Sequence, residues 1–267
     1  MATFGDWVTR LEELNHTFDK AKPYSYVVIP NFFADDIAEQ VYCEFPSCFD
    51  VRFHWKHYDN PIEQKYALND FSTLATCQRV FDVLQSDSAI RLFQQVTGIT
   101  DLQKDPYLHG AGLHAYPNRG KLDVHLDYSI HPITGKERRV NLIVYLNKNW
   151  KEEYGGALQL WDETMSTCQQ VMPTFNTAIL FRTSDVSYHG LPKPITCPVH
   201  MARQSCAIYY VSEPRPNVTQ RYKASFVPLP GQPVEERLQK LYDIRKDRLI
   251  QPSDLWPSWR ENGYGFW

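Results

Sequence analysis

The chain has 267 residues, 43% of them hydrophobic, and its 28 Lys and Arg against 31 Asp and Glu give a formal net charge of −3. That length is near the upper limit for one hydrophobic core. The absence of a basic run removes the electrostatic footprint of a nucleic-acid binder, and no apolar run approaches the roughly 18 residues of a membrane span. Neither nucleic acid nor membrane is therefore expected as a partner. The amino terminus MATFGDWVTRLEEL has acids and a Trp where a signal peptide has a basic and then an apolar stretch, which points to a cytoplasmic protein. Six cysteines without a Cys-x-x-Cys read as free thiols of a reducing compartment.

In chain order, Trp7, Leu11, Leu14 and Phe18 recur at steps of three and four, predicting an amphipathic helix over 5–20. A strand follows over 24–29, closed by Pro30, and then a helix over 34–45 with Asp35 and Asp36 at its positive end. A second helical region covers 70–98, broken near Ser86–Ser88 and stopped at Gly98. From about 107 the texture becomes β-rich, with strands expected over 108–117, 140–147, 157–161, 177–183 and 205–212 and no βαβ rhythm. Helical character returns over 234–242, where Val234, Leu238 and Leu241 share a face, and a tail with Trp256, Trp259 and Trp267 is expected to pack back onto the strands.

The stretch VHLDYSIH places His125 and Asp127 two residues apart, so on a strand both side chains leave the same face and present one nitrogen and one oxygen to a common point. Two histidines compete to complete the set. His131 precedes Pro132 in a Gly- and charge-rich connection that reads as a surface loop, whereas His189 follows the buried-looking TAILFRT and precedes Gly190, where backbone can approach closely. Two histidines and one carboxylate on a β scaffold form the facial triad of non-haem Fe(II) oxygenases, with a zinc hydrolase as the alternative. Fourteen residues beyond His189, Arg203 opens RQSCAIYYVS, in which period two puts Arg203, Ser205, Ala207 and Tyr209 on one face and Cys206, Ile208 and Tyr210 on the other. A planar guanidinium with a hydroxyl beside it suits a carboxylate clamp. The same period puts Asn141, Ile143 and Tyr145 together on one face.

Taken together, YSYVVIPNFF, His125-x-Asp127, RVNLIVYLN with Trp150, GGALQLW, His189-Gly190 and Arg203-x-Ser205 resemble the Fe(II)/2-oxoglutarate-dependent oxygenases, in their prolyl-hydroxylase-like branch, from about Tyr24 to Tyr210. The resemblance implies a mainly β fold, a double-stranded β-helix (jelly-roll, cupin-like) core over 106–213 with helical and strand support over 1–105 and a helical extension over 214–267, all in one domain. It implies His125, Asp127 and His189 as ligands of Fe(II), Arg203 and Tyr145 on the far carboxylate of 2-oxoglutarate, Tyr116 as a second tyrosine on that side, and Ser205 beside them. It also implies O2 as co-reactant, ascorbate as a supporting reductant, and hydroxylation of an unactivated C–H with release of succinate and CO2. The primary substrate is expected to be a prolyl residue of a peptide or protein, the alternative being a free small molecule or sugar precursor. The aromatic content predicts a pocket for an apolar or neutral group, with His114, Tyr128, Asn141 and Asp162 as its candidate residues. A zinc-dependent hydrolase would not need Arg203, Ser205 and Tyr145 together, and a non-catalytic binding module is expected to have lost ligands that are all present here.

Overall fold

A computed structural model describes residues 3–232 and 234–260. Its helices fall where apolar periodicity places them. The first is α1 (Leu11–Lys20), with Trp7 in a preceding single turn, followed by α2 (Asp35–Glu44), α3 (Ala75–Leu84) and α4 (Asp87–Thr97). The break between the last two is chemical: the Ser86 hydroxyl caps α4 by accepting from the Ala89 N–H, and Gly98 ends it in the left-handed conformation at φ 69°. No helix among the described residues is long and apolar enough to cross a membrane.

Among the described residues, thirteen strands form one sheet that curls on itself. They are β1 (Tyr26–Ile29), β2 (Lys56–Asn60), β3 (Glu63–Leu68), β4 (Gln103–Lys104), β5 (Gly112–Pro117), β6 (Lys121–Leu126), β7 (Glu137–Tyr145), β8 (Leu158–Trp161), β9 (Cys168–Val171), β10 (Thr177–Arg182), β11 (Tyr188–Leu191), β12 (Ala202–Ser212) and β13 (Ser225–Phe226). Neighbours run β1-β10-β7-β12-β5-β3-β6-β11-β8-β9, all antiparallel, which is the topology of a jelly roll. Strand β3 joins the two halves, pairing with β5 through Tyr66–Leu68 and with β6 through Glu63 and Gln64.

Period two sorts the side chains. Val140, Leu142, Val144, Ala178, Leu180, Cys206, Ile208 and Tyr210 face the amino-terminal helices, where they pack with Phe18, Phe81 and Phe93. Trp7 is sealed in this layer, stacked 5.3 Å from Phe32 and donating its indole N–H to the Phe32 carbonyl at 2.8 Å. The alternate residues Tyr145, Ile179 and Phe181 pack with Leu158, Leu160 and Leu191 in a second cluster inside the roll. Helix α5 (Glu236–Asp247) closes that cluster with Leu238, Leu241 and Tyr242. Trp259 is buried and the adjacent Arg260 pairs with Asp59, so this part of the tail folds back as expected, while Trp267 lies outside the described residues.

Three local differences from the sequence expectation have clear causes. The strand expected from 108 begins at Gly112, because Leu108 and Gly110 turn with positive φ and the Asp105 carboxylate accepts the Tyr107 and His109 N–H groups. The hairpin of β2 and β3 has no counterpart in the expectation, since its polar sequence lacks apolar alternation. In β7 the pairing steps from Val211 opposite Arg138 to Tyr210 opposite Val140, so Arg139 is the extra residue of a β-bulge.

Candidate active site

His125 on β6 and His189 on β11 stand directly opposite one another in register, with ring centroids 4.5 Å apart. Gly190 permits this: a Cβ there would sit 2.8 Å from the Leu122 carbonyl oxygen and 2.9 Å from that of Asp123. Each histidine donates its Nδ1–H to a backbone carbonyl, His125 to Asp123 and His189 to Ser187, both at 2.9 Å. Both Nε2 atoms are thereby turned toward Asp127, at 3.6 Å from Oδ1 and 3.4 Å from Oδ2. One ligand atom from each of the three lies within 4.8 Å of the others, and this is the one group of three such residues among those described. Burial pushes His189 down to about 4, so its imidazole is neutral and its lone pair free at neutral pH.

The bulge at Arg139 reverses the alternation of β7 and brings Arg138 to the same side as Asn141. Arg138 Nη2 approaches Asp127 Oδ2 at 3.1 Å, Arg138 Nε donates to Asn141 Oδ1 at 2.7 Å, and Asn141 Nδ2 donates to Asp127 Oδ2 at 2.8 Å. The guanidinium is stacked over Tyr209 at 3.3 Å, with Tyr128 at 4.8 Å. Burial alone would raise the Asp127 carboxyl; Arg138 first, then His189 and His125, outweigh it and hold the group well below the usual range. The result is a carboxylate whose Oδ2 is anchored by neutral and cationic donors. Asn141, expected in a substrate pocket, therefore supports the acid.

A second constellation lies deeper. Arg203 on β12 is opposite Tyr116 on β5, its neighbour-but-one Ser205 is opposite both Tyr145 and His114, and all of these side chains are buried. Arg203 Nε donates to the Gly156 carbonyl at 2.8 Å, and its guanidinium carbon is 4.8 Å from the Tyr145 ring and 5.4 Å from that of Tyr116. Gly156 has φ 77°, and a Cβ there would press the Arg203 Cδ at 3.2 Å. The Tyr145 hydroxyl is fully buried without a hydrogen-bond partner, and burial, only partly opposed by Arg203, pushes it up to about 12. A buried guanidinium beside an orphaned phenolic O–H could hold a carboxylate.

His125 and Asp127 also line a cavity of about 320 Å³ whose wall holds neither Arg203 nor Tyr145. His114 and Tyr128 line it, the former pushed down to about 3 by burial and by Lys65. Two further expectations, for Asp162 in the pocket and for His131 in a surface loop, need correction. Asp162 lies in the turn between β8 and β9, where its carboxylate accepts from the Ser166 N–H and hydroxyl and from the Thr167 hydroxyl, so it closes a hairpin. His131 is buried rather than looped out, with Nδ1 accepting the Ile133 and Thr134 N–H groups and Nε2 3.2 Å from Asp105. The lining is also not neutral: Lys56, Lys65, Arg138, Lys223 and Arg245 face it against Glu63 and Asp127.

The family model of the 2OG-Fe(II) oxygenase superfamily matches residues 111–211. No curated protein matches the chain. Among solved structures, a Trichoplax adhaerens prolyl hydroxylase in complex with a hypoxia-inducible factor peptide superposes with a TM-score of 0.58 at 17% identity, covering 78% of this chain and 94% of that one. A prolyl 4-hydroxylase from Phytophthora capsici gives 0.54 at 20% identity, covering 79% and 67%, and one from Pseudomonas putida gives 0.51 at 16%, covering 75% and 99%. At these identities the likeness speaks for a shared fold.

Proposed function

We propose that this chain, whose residues 111–211 match the model of the 2OG-Fe(II) oxygenase superfamily, hydroxylates an unactivated C–H bond with His125, Asp127 and His189 holding the iron and Arg203 and Tyr145 holding 2-oxoglutarate. The observation that carries the assignment of the second pair is the Tyr145 hydroxyl, buried and unpartnered beside Arg203, for which a carboxylate oxygen is the missing acceptor. The donor set suits Fe(II): two imidazole nitrogens and one carboxylate, with no thiolate among them. When bound, the iron supplies the O2 chemistry, in which 2-oxoglutarate loses CO2 and becomes succinate with one oxygen atom while the other enters the substrate as hydroxyl.

The chain's own residues supply geometry. The Asp123 and Ser187 carbonyls fix both imidazoles with Nε2 inward, and Arg138 and Asn141 keep Asp127 ionised and oriented. The Arg203 fork and the Tyr145 O–H would orient the cosubstrate from its far end, and Gly156 keeps the guanidinium in place through its carbonyl. A zinc hydrolase on the same three ligands would leave Arg203 and Tyr145 without a task.

For the primary substrate, the cavity lined by His125 and Asp127 is the natural chamber, since it reaches the ligand set without passing Arg203. The test is an aerobic incubation of the protein with Fe(II), 2-oxoglutarate and ascorbate, in the presence of proline-containing peptides, free small molecules or cell extract. Succinate must appear together with one added oxygen on a substrate, and Arg203→Ala must lose both at cosubstrate concentrations that saturate the unsubstituted protein. Iron binding without succinate under any of these conditions would contradict the proposal.

A further inference from the structure

The cavity wall holds charge that neither the iron ligands nor the cosubstrate clamp uses. Arg138 is spent on Asp127. Glu63 is buried and shared between two cations, Lys65 Nζ at 3.2 Å and Arg245 Nε at 3.3 Å, which bring its carboxyl down to about 2 against the opposing pull of burial. One acid cannot balance two cations. Arg245 is 8% exposed, and its Nη1 is buried without a hydrogen-bond partner. Lys56 and Lys223 line the same cavity, and neither has a carboxylate within 4.0 Å among the described residues. Burial disfavours the Lys65 ammonium, yet Tyr116, Glu63 and Tyr58 outweigh it and keep it charged.

An unpartnered guanidinium nitrogen in a wall that is this short of acids is costly unless an anion completes it. Resting on the oxygenase reading above, we infer that the primary substrate is a small molecule carrying a carboxylate or phosphate, received between Lys65 and Arg245. Position argues for a compact ligand over an acidic protein segment: the two cations are set into the wall of a cavity of about 320 Å³, so the anion enters the chamber that His125 and Asp127 line. Pockets of about 300–1,000 Å³ are the usual size for small ligands. The arginine fork fixes the anion's orientation, while Lys65, Lys56 and Lys223 add field that draws it in.

The experiment is a calorimetric titration of the whole chain, both loaded with Mn(II) and 2-oxoglutarate and unloaded. Its probes are phenyl phosphate, benzoate, benzyl alcohol and a Glu-Pro repeat peptide. One or both small anions should bind the loaded protein at least tenfold more tightly than benzyl alcohol and should weaken as salt is raised. Lys65→Gln and Arg245→Gln should each reduce that binding at least tenfold while changing Mn(II) and 2-oxoglutarate affinity less than twofold. Because a buried arginine can be needed for folding, Lys56→Glu and Lys223→Glu serve as surface variants, expected to weaken the anion several-fold with unchanged melting. Equal binding of benzyl alcohol, anion binding indifferent to all four substitutions, or binding of the peptide alone would overturn the inference. If the protein fails to bind Mn(II) and 2-oxoglutarate, the oxygenase assignment falls, and the charge preference of the unloaded protein still decides this one.

Discussion

Replacing Tyr145 by phenylalanine separates a structural hydroxyl from one held for a ligand. The ring is fully buried and packs beside Arg203, and its oxygen is the one polar atom of that side chain without a partner. Phenylalanine keeps the ring and removes the oxygen. Leaving a buried hydroxyl unsatisfied costs about 1–3 kcal/mol, so Tyr145→Phe should stabilise the metal-free and cosubstrate-free protein by about that amount. At about 2–4 °C per kcal/mol for a chain of this size, the melting temperature should rise roughly 2–12 °C. The same substitution removes a donor to a carboxylate, worth about 1.5–3 kcal/mol, so the Kd for 2-oxoglutarate should rise about 10- to 150-fold. Calorimetric melting of the unloaded protein and titration of the Mn(II)-loaded protein read the two effects. A variant that melts lower and binds 2-oxoglutarate unchanged would show that the hydroxyl serves the fold, and would refute the reasoning.

Other substitutions test neighbouring parts of the site. Arg203→Ala should raise the 2-oxoglutarate Kd by at least as much as Tyr145→Phe, and Arg203→Lys should restore it only in part, because an ammonium cannot reproduce the fork; titration of the Mn(II)-loaded variants reads both. Arg138→Met leaves Asp127, whose side chain is only 12% exposed, without its main cation and should cost about 3 kcal/mol at pH 7 in urea unfolding of the metal-free protein. The Asp127 carboxyl of that variant is raised by burial, so the gap to the unsubstituted protein should narrow as pH falls and the group takes up its proton. Gly156→Ala should strain a backbone at φ 77° and displace Arg203, lowering both melting temperature and 2-oxoglutarate affinity. His114 is depressed to about 3 from an unfolded value near 6.5, so its neutral form contributes stability that is complete above pH 6.5 and lost as pH falls toward 3. His114→Gln should therefore flatten the decline of unfolding free energy below pH 6.5, by up to about 1.4 kcal/mol per pH unit.

What the sequence makes legible follows from how strongly each side chain is constrained by its own neighbours in the chain. Strands β7, β10 and β12 are apolar on the face toward the helices and alternate cleanly, so Tyr145, Arg203 and Ser205 are readable as a common inner face. His125 and Asp127 are readable because strand geometry alone puts residues two apart on one side. Arg138 is not, since a single extra residue at Arg139 turns it inward and nothing in the local pattern marks the bulge. Lys65 and Arg245 come together with Glu63 only after β3 and α5 are packed, and the polar run of the β2–β3 hairpin carries no apolar period to reveal it. His131 shows the reverse error: the turn-rich sequence after it suggests a surface, yet two backbone N–H groups and Asp105 hold its ring in a buried position. The cations lining the cavity are equally hidden, because the chain's nearly balanced composition does not show where they collect.

Anaerobic Fe(II) binding by the unsubstituted chain, His189→Ala and His131→Ala, read as metal per chain after desalting, tests the central claim most directly. The geometry predicts one iron for the unsubstituted chain and for His131→Ala, and loss of retained iron in His189→Ala, since His189 meets His125 and Asp127 within 4.8 Å whereas His131 is committed to Asp105 and its own loop. Retention of iron by His189→Ala with loss in His131→Ala would contradict the account.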